Sequence, residues 1–154
     1  MRIIEEKLSA LGFELPELPP YNGAFVPGLV IGDVVYLSAQ AWSRDGKPVV
    51  QGAVGVAVDV DTAAEAARRC LLNALAAAKL LIGSLDNIQQ IIRLSGFILS
   101  APGFDKQSTV LNGASELLVQ LFGENGRHTR TSLGVAGLTG NASVLVELTL
   151  QKKP

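Results

Sequence analysis

The sequence predicts an α+β fold: one sheet with two helices packed on a single face. Three observations carry this. Short β-branched runs open and close the chain, two Ala/Leu-rich stretches of helical period lie between them, and an apolar run of strand character separates the two helices. At 154 residues the chain is expected to form one domain with a real core.

Residues 1–12 carry a short amphipathic pattern closed by Gly12, and "ELPELPPYNG" (14–23) is a proline-rich extended connection. Too little precedes it for a second core, so residues 1–22 are an extension and 23–152 the body of a single domain. "AFVPGLVIGDVVYLSAQ" reads as two strands about Gly32-Asp33, with Pro27 needing an edge or a bulge. "RDGKPVV" marks another turn, with a short third strand near Val49. From Thr62 the period becomes helical, and "TAAE" has the spacing of a capping box between Thr62 and Glu65. Ala63, Ala67, Cys70, Leu71, Ala74, Ala78, Leu81 and Ile82 recur at three- and four-residue steps, up to a stop at Gly83. "NIQQIIRLSGFILS" is a central strand. A second helix after Asp105 has Val110, Leu111, Ala114, Leu117, Leu118, Leu121 and Phe122 on one stripe, and Gly123 ends it. Strands around 129–138 and 143–151, joined by "TGNA", close the chain.

Composition narrows the function. The chain is 48% hydrophobic and 18% charged, with a mean hydropathy of +0.33. That is apolar for a small soluble monomer, yet no run of eighteen apolar residues is present to span a membrane. Glu5, Glu6 and Lys7 interrupt what would be a signal's apolar region. The expectation is a cytoplasmic protein that buries its bare sheet face against other subunits. The single cysteine, Cys70, excludes an internal disulfide and reads as a small buried hydrophobe. One histidine far from one cysteine excludes the usual zinc clusters, and no motif calls for a cofactor. A net charge of −1, with neither a basic stripe nor stacking aromatics, speaks against nucleic acid as a partner.

The chemistry gathers in "RHTRTSLGVAGL" (127–138). Strand parity separates Thr131, Leu133 and Val135 from Arg130, Ser132 and Gly134. The first set suits the helix-covered core, which puts Arg130 and Ser132 on the open face, and the last strand's alternation allows Glu147 to join them. Arg130 there serves either as a clamp for a planar carboxylate or as an intersubunit salt-bridge partner of Glu147 or another acid. His128 serves either as a proton-handling group beside the arginine or as an exposed loop residue. Trp42, just past the hairpin, walls a cleft or fills an interface.

These residues carry a resemblance. "GAFVPGLVIGDVVYLSAQ", "VLNGASELLVQLFG" and "HTRTSLGVAGL" are similar, in order and spacing, to the opening hairpin, second helix and arginine-bearing strand of the RidA/YjgF family. "NGAS", "FGENGRHTRT" and the added N-terminal segment resemble a longer subfamily of poorly defined role. The resemblance implies a homotrimer with a chorismate-mutase-like, ferredoxin-related fold and small-molecule clefts between subunits. In deaminating members, once labelled endoribonucleases, the arginine holds a substrate carboxylate. Water then hydrolyses a reactive enamine or imine to a keto acid and ammonia. Arg130 matches that arginine and Asn112 the helix asparagine, while Ser132, Phe25, Ala39 and Leu133 fall at substrate-binding positions. Phe25 replaces a frequent tyrosine, Ala39 a glycine and Ser132 a frequent cysteine. "VLVEL" stands where the family has Val-Glu-Ile-Glu-Leu, so Leu145 replaces the acid that positions water and Glu147 matches the second acid. An apolar leucine cannot orient water. The expectations are therefore a deaminase-like hydrolase, or a non-catalytic trimer that binds a small carboxylate metabolite, with RNA cleavage a weaker third.

Overall fold

The computed structural model describes residues 2–154. The chain opens with helix α1 (Ile3–Ala10). The amides of Ile3 and Ile4 both donate to the Asp86 carboxylate at 2.9 Å. An acid there satisfies donors that have no partner within the helix and faces the positive end of its dipole. Ile4 and Leu8 are the buried side of α1.

The extended segment beyond α1 leads into a hairpin of β1 (Gly28–Ile31) and β2 (Val34–Leu37). Its turn is the expected one, with Gly32 at φ 65°. Pro27 immediately precedes β1, an edge strand, so its missing amide removes no ladder bond. The second turn, at Asp45-Gly46, also uses positive φ and closes a ribbon of β3 (Ser43–Arg44) and β4 (Lys47–Pro48). The strand expected near Val49 is thus a two-residue piece ending before it, apart from the main sheet.

Helix α2 (Val60–Ile82) follows. Its N-cap is Asp59, whose Oδ1 accepts the Thr62 amide at 2.7 Å. The Thr62–Glu65 capping box is therefore corrected: Thr62 already lies inside the helix, and Glu65 instead pairs with Arg68 and Arg69. Strand β5 (Ile88–Leu99), helix α3 (Gln107–Phe122), strand β6 (Thr129–Val135) and strand β7 (Val144–Lys152) complete the chain. The mixed sheet has the order β1-β2-β7-β5-β6, with β5 and β6 parallel and the other pairs antiparallel.

The two long helices cover one face, as expected, and α1 is a third helix resting against α3. Val144, Val146, Leu148 and Leu150 of β7 are all buried beneath the helices. Gly96 lets α3 approach the sheet, because a Cβ there would lie 2.6 Å from the Leu111 side chain. Gly113 lets the helices cross closely, since its Cβ would stand 2.2 Å from the Ala64 carbonyl oxygen. Cys70 is fully buried, and burial pushes its thiol up to about 12, which matches the small-hydrophobe reading. The opposite face is uncovered in this chain. Leu29, Ile31, Tyr36 and Leu133 are large apolar side chains exposed on it.

Strand β6 alternates as the sequence predicts, but with its faces exchanged. Arg130 donates to Asn112 and Ser115 of α3, so Arg130 and Ser132 face the helices. Thr131 and Leu133 lie on the open face, where Leu133 is 47% exposed. Register pairs Ser132 with Gly96 and Leu133 with Phe97, which fits this assignment. The reason is the strand's place at the sheet edge. The part of α3 above Arg130 presents Asn112 and Ser115, so the helix side is polar there. Glu147 pairs with Ser95 on the open face and does not share a side with Arg130 or Ser132.

Candidate ligand-binding site

Four side chains converge where α3, the turn after it and β6 meet. Asn112 and Ser115 lie three residues apart on α3 and therefore on one face of it. The 3-10 turn Gly123–Gly126 reverses the chain tightly, because a Cβ on Gly126 would sit 2.2 Å from the Leu118 carbonyl oxygen. His128 and Arg130 then enter β6 beside the helix.

Arg130 Nη1 donates to Asn112 Oδ1 at 2.7 Å and to Ser115 Oγ at 3.2 Å. Ser115 Oγ lies 2.9 Å from His128 Nε2, and His128 Nδ1 lies 2.7 Å from the Gly126 carbonyl oxygen. A carbonyl only accepts, so Nδ1 carries a proton. In the neutral imidazole Nε2 then accepts from the Ser115 hydroxyl. His128 is thus a half-buried residue bonded through both ring nitrogens rather than a free loop histidine.

Ser115 is the member the sequence reading missed. Its signal was its spacing of three from Asn112 in "NGAS", which places it on the asparagine's face of the helix. Ser132 lies on the same side of β6 as Arg130, but its hydroxyl is buried and unpartnered among the described residues. Solvent does not reach it in the single chain.

The other expected site residues form a separate group. Phe25, Ala39 and Trp42 line a cavity of about 900 Å³ between the N-terminal extension, the end of the hairpin and α2. Tyr21 accepts from the buried Gln40 side chain at 2.6 Å. The Arg69 guanidinium lies 5.6 Å from the Trp42 ring centre and 5.3 Å from that of Phe13. This group belongs to the β1–β2 side of the sheet, whereas Arg130 belongs to the β6 edge. One chain does not bring the two together. Leu145, opposite Phe97, and Glu147 are on the open face, away from both.

Among the described residues no group of three His, Cys, Asp or Glu side chains is placed to hold a metal. No helix among them is long and apolar enough to cross a membrane. The arrangement offers a cationic planar donor held by two neutral side chains, with no ion-pair partner among the described residues.

A family model described as "YjgF/chorismate mutase-like, putative endoribonuclease" matches residues 5–151. The protein TCP17 of Trypanosoma cruzi is 33% identical over 145 residues, covering 94% of this chain and 91% of its own length. A protein of unknown function from Agrobacterium tumefaciens has a similar structure, with a TM-score of 0.88 and 41% identity over 97% of this chain and 92% of its own. A "putative endoribonuclease" from Shewanella oneidensis aligns with a TM-score of 0.91 and 34% identity, over 97% of this chain and 99% of its own.

Proposed function

The chain belongs to the YjgF/chorismate mutase-like family, and from that premise we propose that it is a Rid-type hydrolase of small carboxylate-bearing enamines and imines. The observation that carries the reading is the guanidinium of Arg130, held at Nη1 by Asn112 and Ser115. Among the described residues no other side-chain bond engages its Nη2 or Nε. That free edge matches a carboxylate in two parallel hydrogen bonds.

With the carboxylate gripped, the imine carbon next to it is the electrophile. Water adds to that carbon, the C–N bond breaks, and the nitrogen leaves as ammonia, giving a 2-keto acid. An enamine enters the same sequence after taking a proton on carbon. The chain's contribution is to bind the substrate and orient its imine carbon for the attacking water.

The working site in this reading lies between copies of the chain in a homotrimer. Its two halves, the Arg130 cluster and the Phe25–Ala39–Trp42 cavity, belong to opposite edges of one sheet. A neighbour's hairpin side laid against the β6 edge unites them. The same packing covers Leu29, Ile31, Tyr36 and Leu133, whose exposure is costly for a free monomer.

The direct test is ammonia release from enzymatically generated 2-aminoacrylate, with Arg130→Ala as the control. A rate no greater than buffer, with a keto acid still bound, removes the hydrolase and leaves a carboxylate-binding protein. That second reading is favoured by Leu145 and by the lack of a carboxylate in the Arg130 cluster. RNA cleavage has less support, because the chain's single histidine has no partner histidine to complete an acid/base pair.

A further inference from the structure

We propose that Ser115 and His128 are positioning residues for Arg130, forming a serine–histidine brace that dictates which guanidinium N–H groups remain for a ligand. The inference rests on Arg130 as the carboxylate clamp and assigns the two residues a role in that same site.

The brace follows from donor and acceptor capacity. The Gly126 carbonyl takes the Nδ1 proton of His128. The remaining lone pair of a neutral imidazole is on Nε2, and the atom beside it is the Ser115 oxygen. The serine hydroxyl therefore points its hydrogen at the imidazole and turns its oxygen lone pairs toward Arg130 Nη1. Hydrogen bonding runs in one direction, from arginine through serine and histidine to the backbone. The far end is firm, since the Gly126 turn is pressed against the end of α3 too closely to admit a side chain.

Asn112 supplies a second acceptor to the same nitrogen from one helical turn earlier. Nη1 is thus held from two directions by one helix face. Because the guanidinium is planar, fixing Nη1 also fixes the plane and direction of Nη2 and Nε. A serine at 115 without an acceptor behind it is free to swing its hydrogen toward the arginine and lose the bond. His128 supplies that acceptor. His128 reaches Arg130 only through Ser115, which makes it a positioning residue.

The test is calorimetric titration of the full-length protein with pyruvate, comparing wild type with Arg130→Ala, Ser115→Ala, Ser115→Thr, His128→Phe and His128→Gln. Ser115→Ala and His128→Phe are expected to weaken pyruvate binding about tenfold, the effect of losing a hydrogen bond to a charged group. Ser115→Thr restores the hydroxyl and His128→Gln restores a reaching acceptor, so both are expected to bind within about threefold of wild type. A role confined to packing would not give this pattern of rescue. Wild-type affinity in Ser115→Ala, while Arg130→Ala is dead, overturns the brace and leaves the clamp standing. Wild-type affinity in Arg130→Ala overturns the clamp itself. A ligand-independent measurement accompanies these: nitrogen-15 resonances of the Arg130 side chain should show hindered rotation at Nη1 in wild type and Ser115→Thr. Equal, fast rotation in wild type and Ser115→Ala overturns the brace whether or not pyruvate binds. The one-atom Ser115→Ala change decides the matter if His128→Phe does not fold.

Discussion

Arg130 and Glu147 stand on opposite faces of one sheet, the arginine under α3 and the glutamate on the bare side opposite Ser95. They cannot pair within a chain, so Glu147 does not neutralise the clamp from inside. Among the described residues the guanidinium has neutral side-chain partners only, Asn112 and Ser115. A cation so held keeps most of its attraction for an anion that arrives later, because no resident carboxylate must first be displaced.

Leu145 shares the open face with Glu147, two residues away, and stands where the resemblance places a water-positioning acid. Leu145→Glu should therefore raise ammonia release from 2-aminoacrylate by about a hundredfold, the lower end of the range for a positioned acid or base. Pyruvate affinity should stay unchanged, since Arg130 is untouched. Keto-acid formation followed by a coupled dehydrogenase reports the first and calorimetry the second. A flat rate in a variant that still assembles shows that acid at this position does not act on the Arg130 site.

The two long helices, the Gly32-Asp33 hairpin and the succession of elements along the chain were legible because each is written locally, in period and in turn residues. The sheet order β1-β2-β7-β5-β6 is instead set by non-local pairing. The side of the sheet that Arg130 faces was not. Period two separates Thr131, Leu133 and Val135 from Arg130, Ser132 and Gly134, but does not say which set turns inward. Apolar character chose the first set, and at an edge strand that guide fails, since the overlying part of α3 is polar. The brace was half legible: His128 stood out as the only histidine, whereas Ser115 was one serine among several. Only the fold brings the two together.

Ser132 carries a buried hydroxyl with no hydrogen-bond partner among the described residues. An unpaired buried hydroxyl costs its desolvation without any return, so Ser132→Ala should stabilise the protein by about 1 kcal/mol. The urea midpoint should rise with no change in slope. Ser132→Cys should be tolerated as well, because a thiol accepts an unpaired site more readily. Destabilisation by Ser132→Ala would mean that the hydroxyl finds a partner in the assembled protein.

Gly113 and Gly32 should differ when each is changed to alanine. At Gly113 the added methyl would meet the Ala64 backbone at 2.2 Å, and backbone cannot step aside as a side chain can. The helices must separate, at a cost of about 3 kcal/mol. At Gly32 nothing lies within 4 Å, but φ is +65°. The penalty there is the left-handed conformation alone, about 1 kcal/mol. Thermal melts of the two variants check the order, and an equal loss would refute the close helix crossing.

Asp86 ties α1 to the body of the protein, and its effect should depend on pH. Burial presses its carboxyl upward, yet the amides of Ile4 and Ile3, helped by the charge of Lys153, hold it below the ordinary value of 3.8. A carboxyl depressed in the folded state binds fewer protons there than in the unfolded chain. Its stabilisation is complete above the unfolded value and is lost as pH falls through the lower folded value. At pH 7 Asp86→Ala should cost about 1 kcal/mol, typical of a lost helix cap. The gap between wild type and variant should narrow toward zero in urea titrations carried below pH 3.8. Amide exchange at Ile3 and Ile4 should quicken in the variant, since those donors lose their acceptor. A gap that stays constant with pH would show that the charge of Asp86 does not hold α1 in place.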